Sequence, residues 1–161
     1  MTKAVGFESH NHDTCIARTM RAVEARCADR KLQLTPVRRR VMEILLEHHR
    51  AMGAYDILEV LRAEGLGSQP PVAYRALEFL RTHGFVHRVE RLNGFIACVH
   101  PEADHDPAFL ICSACHAVAE TEAQAISGAM AQAGNAAGFE VSQMVVEAEG
   151  LCPDCRSGAK A

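Results

Sequence analysis

The sequence lacks any apolar run long enough to cross a membrane, since no uninterrupted apolar stretch approaches about 20 residues. It begins MTKAVGFESHNHD, which has neither the basic region nor the apolar region of a secretory signal. We therefore expect a cytoplasmic protein. In that compartment the seven cysteines are better explained as metal ligands or buried thiols than as disulfides.

The composition is not that of a disordered chain, because 48% of the 161 residues are apolar. A chain of this length is enough for one ordinary domain or two small ones. The net charge of −3 hides an asymmetry: residues 1–95 hold 15 Lys and Arg against 11 Asp and Glu, whereas residues 96–161 hold 2 against 9. A basic N-terminal half is suited to nucleic acid, and an acidic C-terminal half is suited to cations or self-association. Charge alone does not decide between these partners.

Four amphipathic helices are predicted in the basic half. Apolar residues three and four positions apart predict the first helix at about residues 14–30. Thr35 and Pro36 offer a capping hydroxyl and a first-position proline to the second helix, at about 35–48. The spacing of apolar residues predicts a third helix at 54–64 and, after Pro70 and Pro71, a fourth helix at 70–83.

Two short alternating segments follow, at 85–90 and 94–99, and a hairpin signal around Asn93 and Gly94 joins them. Helices followed by a two-stranded hairpin predict a winged helix, in which the fourth helix recognises DNA. A small helical domain without a nucleic-acid role is the alternative that this pattern leaves open.

Beyond residue 101 the pattern changes to strand, strand, helix, strand. Short apolar strands are predicted at 109–111 and 117–119, a helix at about 124–133, and a third strand at 139–148. Such a small sheet has an open edge and few core residues, so we expect it to need a metal or a partner subunit. The predicted fold class is α+β, with an N-terminal winged helix followed by a small α/β domain.

Two C-x-x-C pairs are the strongest chemical signal: Cys112 with Cys115, and Cys152 with Cys155. Four thiolates in a tetrahedral array favour a structural zinc, because sulfur is soft and a d¹⁰ ion imposes no geometry of its own. The 36-residue spacer between the pairs exceeds that of a compact zinc ribbon, so the helix and strands between them must fold before the pairs can meet. Redox-active pairs or unrelated thiols are the alternative, and the presence of two pairs argues against it.

A second group of potential ligands lies around the junction of the two predicted domains. Its sulfur, nitrogen and oxygen donors suit zinc, and ligands drawn from both domains would let metal occupancy fix the angle between them. Each histidine taken alone is explained as a solvated surface residue, and only the clustering favours a site. The group consists of His87, Cys98, His100, Asp104, His105, Asp106, His116, Glu120 and Glu122.

Together these motifs resemble the ferric uptake regulator family over about residues 14–155. The matching segments are LTPVR, AYDIL, PPVAYRAL, GFVH and the two C-x-x-C pairs. The resemblance implies a metal-dependent repressor that binds a palindromic operator in double-stranded DNA as a homodimer. It implies a winged-helix domain at 14–97, a hinge at 98–106 and a dimerisation domain at 107–156, with tails at 1–13 and 157–161.

Within the family, the zinc uptake regulators carry a sensing site whose pattern matches His87, Cys98, His105 and Glu120. The resemblance therefore implies two zinc ions per subunit, one regulatory at these residues and one structural at the four cysteines. The thiolate of Cys98 favours Zn²⁺ over Fe²⁺ or Mn²⁺, and His100 is a rival for one ligand position. The implied function is a zinc-responsive repressor of zinc uptake genes, without catalytic residues.

Two alternative functions stay open. A sister sensor of the same family would respond to iron, manganese, nickel or peroxide. A zinc-storage protein or a metalloenzyme is the other alternative. A catalytic zinc usually keeps three protein ligands and a water molecule, whereas the regulatory set is a closed group of four.

The resemblance places Tyr55, Tyr74 and Arg75 at the DNA face, where an arginine can bond guanine through two hydrogen bonds. Arg38 is expected to meet a phosphate. Partial core packing is the alternative for the two tyrosines. The family usually has threonine or serine where this chain has Val72, so a hydroxyl that could cap the recognition helix or contact phosphate is absent.

Overall fold

The computed structural model describes residues 6–7, 12–48 and 50–159. These residues form two compact units: an N-terminal unit that ends at Asp104, and a C-terminal unit that begins at His105 and includes Gly6 and Phe7. Most of the predicted tail at 1–13, and the last two residues of the tail at 157–161, lie outside the described residues. Among the described helices, none combines the length and the apolar character that a membrane crossing requires.

The N-terminal unit contains the four predicted helices, each with ends within two residues of the prediction. They are α1 (His12–Asp29), α2 (Pro36–Glu47), α3 (Ala54–Ala63) and α4 (Pro70–Thr82). The start of α2 follows from its capping chemistry. The backbone N–H of Arg38 donates to the Oγ1 of Thr35 at 3.4 Å, and Pro36 occupies the first turn, where its missing N–H costs nothing.

A tight turn after α4 leads the chain into the predicted hairpin. Gly84 has a φ of +77°, which a residue without Cβ adopts freely, and the amide of Phe85 donates to the carbonyl of Leu80 at 2.8 Å. The strands β1 (Val86–Val89) and β2 (Gly94–Ala97) then pair antiparallel. Helices followed by this hairpin form a winged helix, as the sequence predicted.

The apolar faces of α1 to α4 and of the hairpin meet in one core. Burial of one such large side chain stabilises the fold by about 1.5–3 kcal/mol, so the core fixes α3, α4 and the hairpin relative to each other. The outer faces of these elements therefore present their side chains on a stable support. The largest fully buried side chains include Met42, Ile44, Leu45, Ile57, Leu58, Leu61, Leu77, Leu80 and Phe85.

The C-terminal unit is a three-stranded sheet with one longer helix and one short helix. Its elements are β3 (Pro107–Cys112), β4 (Val118–Glu122), α5 (Gln124–Ala136), β5 (Glu147–Gly150) and α6 (Pro153–Arg156). The strand order is β4-β3-β5, with β4 antiparallel and β5 parallel to β3. The order strand, strand, helix, strand agrees with the prediction, and the α+β class is confirmed.

The third strand differs from its prediction. Residues 139–146 form no strand, and β5 extends past residue 148 to Gly150. The ladder with β3 ends where the amide of Phe109 donates to the carbonyl of Val146 at 2.9 Å. One rung further, β3 offers Pro107, which has no N–H to donate. The alternating pattern of residues 139–148 could not predict this limit, because Pro107 lies on the neighbouring strand.

Candidate metal centre and nucleic-acid interface

The sheet of the C-terminal unit brings the two C-x-x-C pairs together. Cys112 is the last residue of β3 and lies opposite Gly150 at the end of β5. The amide of Ser113 also donates to the carbonyl of Gly150 at 2.8 Å. Two residues later the chain reaches Cys152, which caps the N-terminus of α6. The Sγ atoms of all four cysteines, including Cys115 and Cys155, therefore lie within 4.8 Å of one another.

Hydrogen bonds to sulfur give these thiols unequal acidity. The amide of Cys152 donates to the Sγ of Cys112 at 3.4 Å. This bond and further backbone N–H groups stabilise the thiolate and lower the pKa of Cys112 to about 6. The pKa of Cys155 is raised to about 12, because its thiol bonds with Cys152 and because burial and the neighbouring sulfurs oppose a second negative charge. The cluster thus stabilises a negative charge on Cys112, which a cation would neutralise.

The spacing of the sulfurs fits zinc. With Zn–S bonds of about 2.3 Å, a regular tetrahedron places its sulfurs about 3.8 Å apart. The Sγ atoms of Cys115 and Cys152 are 3.8 Å apart, and no pair in the cluster exceeds 4.8 Å. Four soft donors this close together could hold a zinc ion with small movements of their side chains.

Two of the four predicted regulatory ligands meet in the N-terminal unit. His87 lies on β1 and Cys98 directly follows β2, and their donor atoms are within 4.8 Å of each other. Cys98 is fully buried, and its amide donates to the carbonyl of Phe85 at 2.9 Å. The hairpin therefore fixes one nitrogen donor and one sulfur donor side by side.

The other two predicted regulatory ligands meet in the C-terminal unit. The Nε2 of His105 and the Oε1 of Glu120 are 2.5 Å apart. Glu120 lies on β4 and is buried, so its carboxylate needs a proton donor or a cation beside it. His100, the rival ligand, lies near Glu102 instead, with 3.3 Å between its Nδ1 and the Oε1 of Glu102.

The predicted DNA-contacting tyrosines are exposed on neighbouring helices. Tyr55 in the first turn of α3 is 64% exposed, and Tyr74 on α4 is 49% exposed, which argues against a core role for either. Their rings stand edge to face with centroids 6.5 Å apart. Arg75 is exposed beside Tyr74 on α4. These side chains form one polar and aromatic surface on the N-terminal half of α4 and the adjoining end of α3.

Arg38 is not a freely solvated charge. Its guanidinium lies 3.7 Å above the ring of Phe79, and its Nη1 donates to the carbonyl of Gln33 at 2.6 Å. The sequence did not reveal the contribution of Phe79, because a cation–π contact between two helices leaves no periodic signal. Arg38 is therefore held in one orientation on the surface of α2.

The residue that departs from the family pattern, Val72, has a packing role. A Cβ on Gly67 would stand 2.7 Å from the Cγ1 of Val72, so the valine fills the turn between α3 and α4. The N-cap of α4 is Gln69, and Val72 is its third helical residue. A hydroxyl at position 72 would therefore not occupy the N-cap position.

Comparisons with known proteins agree with these observations. A family model for the ferric uptake regulator family matches residues 29–149. The zinc uptake regulation protein of Escherichia coli (strain K12) is 38% identical over 130 residues, which make up 80% of this chain and 76% of that protein.

Two solved structures are similar to the whole fold. A zinc uptake regulator complexed with zinc and DNA has a TM-score of 0.82 and 34% identity, over 95% of this chain and 100% of that one. The crystal structure of holo XcZur has a TM-score of 0.80 and 38% identity, over 87% of this chain and 98% of that one.

Proposed function

Since the chain belongs to the ferric uptake regulator family, we propose that it is a zinc-responsive transcriptional repressor. In this proposal a homodimer binds a palindromic operator when its regulatory zinc site is filled, and so controls zinc uptake genes. The similarity to a zinc uptake regulation protein and to a regulator complexed with zinc and DNA supports zinc as the signal and DNA as the partner.

The four cysteines of the C-terminal unit would hold a structural zinc. Cys112 ends the central strand β3, and Cys152 and Cys155 belong to the chain that leaves β5. A zinc ion here would join the ends of two parallel strands in a sheet that has few core residues. The binding energy of such a site is folding energy, so this ion would stabilise the fold of the unit.

A second zinc would be held by His87, Cys98, His105 and Glu120. The donors are paired within each unit, one pair on the hairpin and one pair at the start of the C-terminal unit. A single ion that binds both pairs would restrict the angle between the units. The thiolate of Cys98 favours Zn²⁺ over Fe²⁺ and Mn²⁺, which is why zinc is preferred to the metals of the sister sensors.

DNA contact is assigned to α4, its neighbour α3 and the surface of α2. Arg75 is exposed in the N-terminal half of α4, where recognition helices reach base edges. The exposed Tyr55 and Tyr74 would offer hydroxyl groups for further contacts, and Arg38 would offer a fixed cation for a phosphate. In a homodimer two copies of α4 would meet successive major grooves, which explains a palindromic operator.

The pairing of Cys98 with His87 is the observation that carries the zinc proposal, because it puts a soft sulfur donor beside a histidine on the hairpin of the DNA-binding unit. The test is a titration of operator binding against buffered free Zn²⁺, Fe²⁺, Mn²⁺ and Ni²⁺. Zn²⁺ should raise DNA affinity at the lowest free concentration. A response to another ion alone would identify a sister sensor, and DNA binding that ignores every metal would contradict the proposal.

A further inference from the structure

An arginine on α1 has a mostly buried side chain. Arg26 lies in the last turn of α1, and its side chain is only 10% exposed. Arginine side chains are seldom buried unless their guanidinium is paired. The partners of Arg26 come from a segment more than 70 residues further along the chain.

These partners lie in residues 99–104, which we call the connecting segment. The Nη1 of Arg26 donates to the carbonyl of Pro101 at 2.9 Å, and its Nη2 donates to the Oδ1 of Asp104. The other oxygen of Asp104 is 3.6 Å from the Nη2 of Arg30, which directly follows the last residue of α1. The guanidinium bonds two acceptors that lie three residues apart through two different nitrogens of a rigid planar fork, whereas lysine has all its donors on one nitrogen.

Stability alone does not explain this arrangement. Asp104 is 84% exposed, and ion pairs with an exposed member contribute little to folding. The Nε of Arg26 is buried and has no hydrogen-bond partner among the described residues, which is unfavourable for a donor. The Nε of Arg26 is therefore in an unfavourable position, while Nη1 and Nη2 hold the connecting segment.

The connecting segment is anchored at both ends. Just before its start, the amide of Cys98 donates to the carbonyl of Phe85, the residue that precedes β1. At its end, Asp104 is held by Arg26, and between them the amide of Ala103 donates to the carbonyl of His100 at 3.4 Å. The residues on either side of this segment are Cys98 and His105, both of them regulatory ligands under the proposed function.

We propose that Arg26 is the positioning residue of the regulatory zinc site. By holding Pro101 and Asp104 against α1, it orders the chain between Cys98 and His105 before zinc arrives, and it connects the filling of that site to α1 of the DNA-binding unit. Zinc then does not have to order a free loop, and a binding site that is ordered in advance binds more tightly. This inference rests on the proposed function, because it requires a second zinc site.

The experiment compares Arg26→Gln, Arg26→Lys, Asp104→Asn and the double variant Arg26→Gln/Asp104→Asn with the unmodified protein. Arg21→Gln is the matched control, since Arg21 is an exposed arginine on the same helix. The zinc affinity of the second site is measured by chelator competition on protein that keeps its cysteine-bound zinc. Hydrogen exchange at residues 99–104, without the second zinc, reports the order of the connecting segment, and the Tm of the same sample reports the fold.

Arg26→Gln should lower the zinc affinity of the second site by about 10–100-fold, the range for residues that orient metal ligands. It should also speed hydrogen exchange at residues 99–104. Asp104→Asn should also lower the zinc affinity, and Arg26→Lys should keep only part of it. The double variant should lose less affinity than the sum of the two single losses, because the two residues act through one contact. The Tm of Asp104→Asn should match that of Arg21→Gln, because Asp104 is exposed.

Zinc affinity and exchange equal to those of Arg21→Gln in both Arg26→Gln and Asp104→Asn would overturn the inference. A zinc loss that appears only together with a fall in Tm would also overturn it, since that pattern indicates a purely structural arginine. If the unmodified protein bound only the cysteine-bound zinc, the proposed function would fail and this inference with it. Two zinc ions in the unmodified protein with no effect of Arg26 would refute this inference alone.

Discussion

The backbone amide of Cys152 donates a hydrogen bond to the Sγ of Cys112 across 3.4 Å, although 40 positions separate the two residues in the sequence. The bond exists because β3 and β5 run parallel and end together, so the turn after β5 delivers Cys152 to the end of β3. Together with backbone N–H groups of Cys115 and Ala114, this bond lowers the pKa of Cys112 to about 6. In the metal-free protein this cysteine is therefore a thiolate at neutral pH, ready to bind a cation.

The first prediction concerns the pH dependence of the structural zinc. Above pH 6 the Cys112 thiol has already lost its proton, whereas below pH 6 zinc must displace that proton. The proton of Cys155, with a pKa raised to about 12, must leave at any pH in this range. The slope of log zinc affinity against pH should therefore steepen by about one unit below pH 6.

This slope is measured on the Cys98→Ser variant, so that the second zinc site does not contribute. Zinc affinity is determined by competition with chelators of known proton dependence between pH 5 and pH 8. A constant slope over this range would show that Cys112 does not titrate near pH 6.

The second prediction is that Cys112→Ser destroys the C-terminal unit and the dimer. A structural zinc in a small domain contributes about 10–16 kcal/mol, which is as large as the whole stability of an ordinary domain, about 5–15 kcal/mol. Zinc content, sedimentation and Tm measure the outcome. The control is Cys15→Ser, which alters a half-buried thiol on α1 of the other unit. A zinc-free Cys112→Ser protein that remained a stable dimer would remove the structural zinc from the account.

The third prediction concerns base recognition. Arg75→Ala should weaken operator binding by about 1–3 kcal/mol and relax specificity at one base position. Arg81→Ala is the matched control: it removes the same charge from the last turn of the same helix, away from the end that enters the groove, and should leave affinity close to that of the unmodified protein. Equal losses in the two variants would indicate that α4 contributes only general positive charge.

Much of the fold follows from local chemistry that can be read in the sequence. The capping hydroxyl of Thr35 and the position of Pro36 predicted the start of α2, and both act as expected. The C-x-x-C pairs predicted a sulfur cluster for the same kind of reason, because residue types at fixed spacing determine the donor set. Features of this kind need no knowledge of distant residues.

The features that sequence reasoning missed depend on contacts between distant parts of the chain. The late start of β5 follows from Pro107 on a neighbouring strand. The position of the Arg26 guanidinium follows from its bonds with Pro101 and Asp104. The fixed orientation of Arg38 follows from Phe79. None of these pairs has a characteristic spacing. The sequence predicts only a phosphate contact for Arg38 and assigns no role to Arg26.

The fourth prediction separates the two zinc sites. Cys98→Ser should keep the zinc of the four cysteines and the dimer, because Cys98 belongs to the other unit. It should lose the gain in operator affinity that zinc gives the unmodified protein, since serine replaces the soft ligand of the regulatory site. Native mass spectrometry counts zinc per dimer, and DNA titration at fixed free zinc measures the gain. A Cys98→Ser variant that still responded to zinc would exclude Cys98 as a sensing ligand.

The central claim is that zinc at the regulatory site and operator DNA bind cooperatively, and linkage requires the cooperation to be reciprocal. The most direct measurement is the zinc affinity of the regulatory site, determined by chelator competition on the unmodified protein with and without operator. Operator should raise the zinc affinity of this site by the same factor by which zinc raises the affinity for operator, typically about 5–150-fold, or about 1–3 kcal/mol. The affinity of the four cysteines for their zinc should not change. Equal zinc affinity in the presence and absence of operator would contradict the sensor, even if both zinc sites were found.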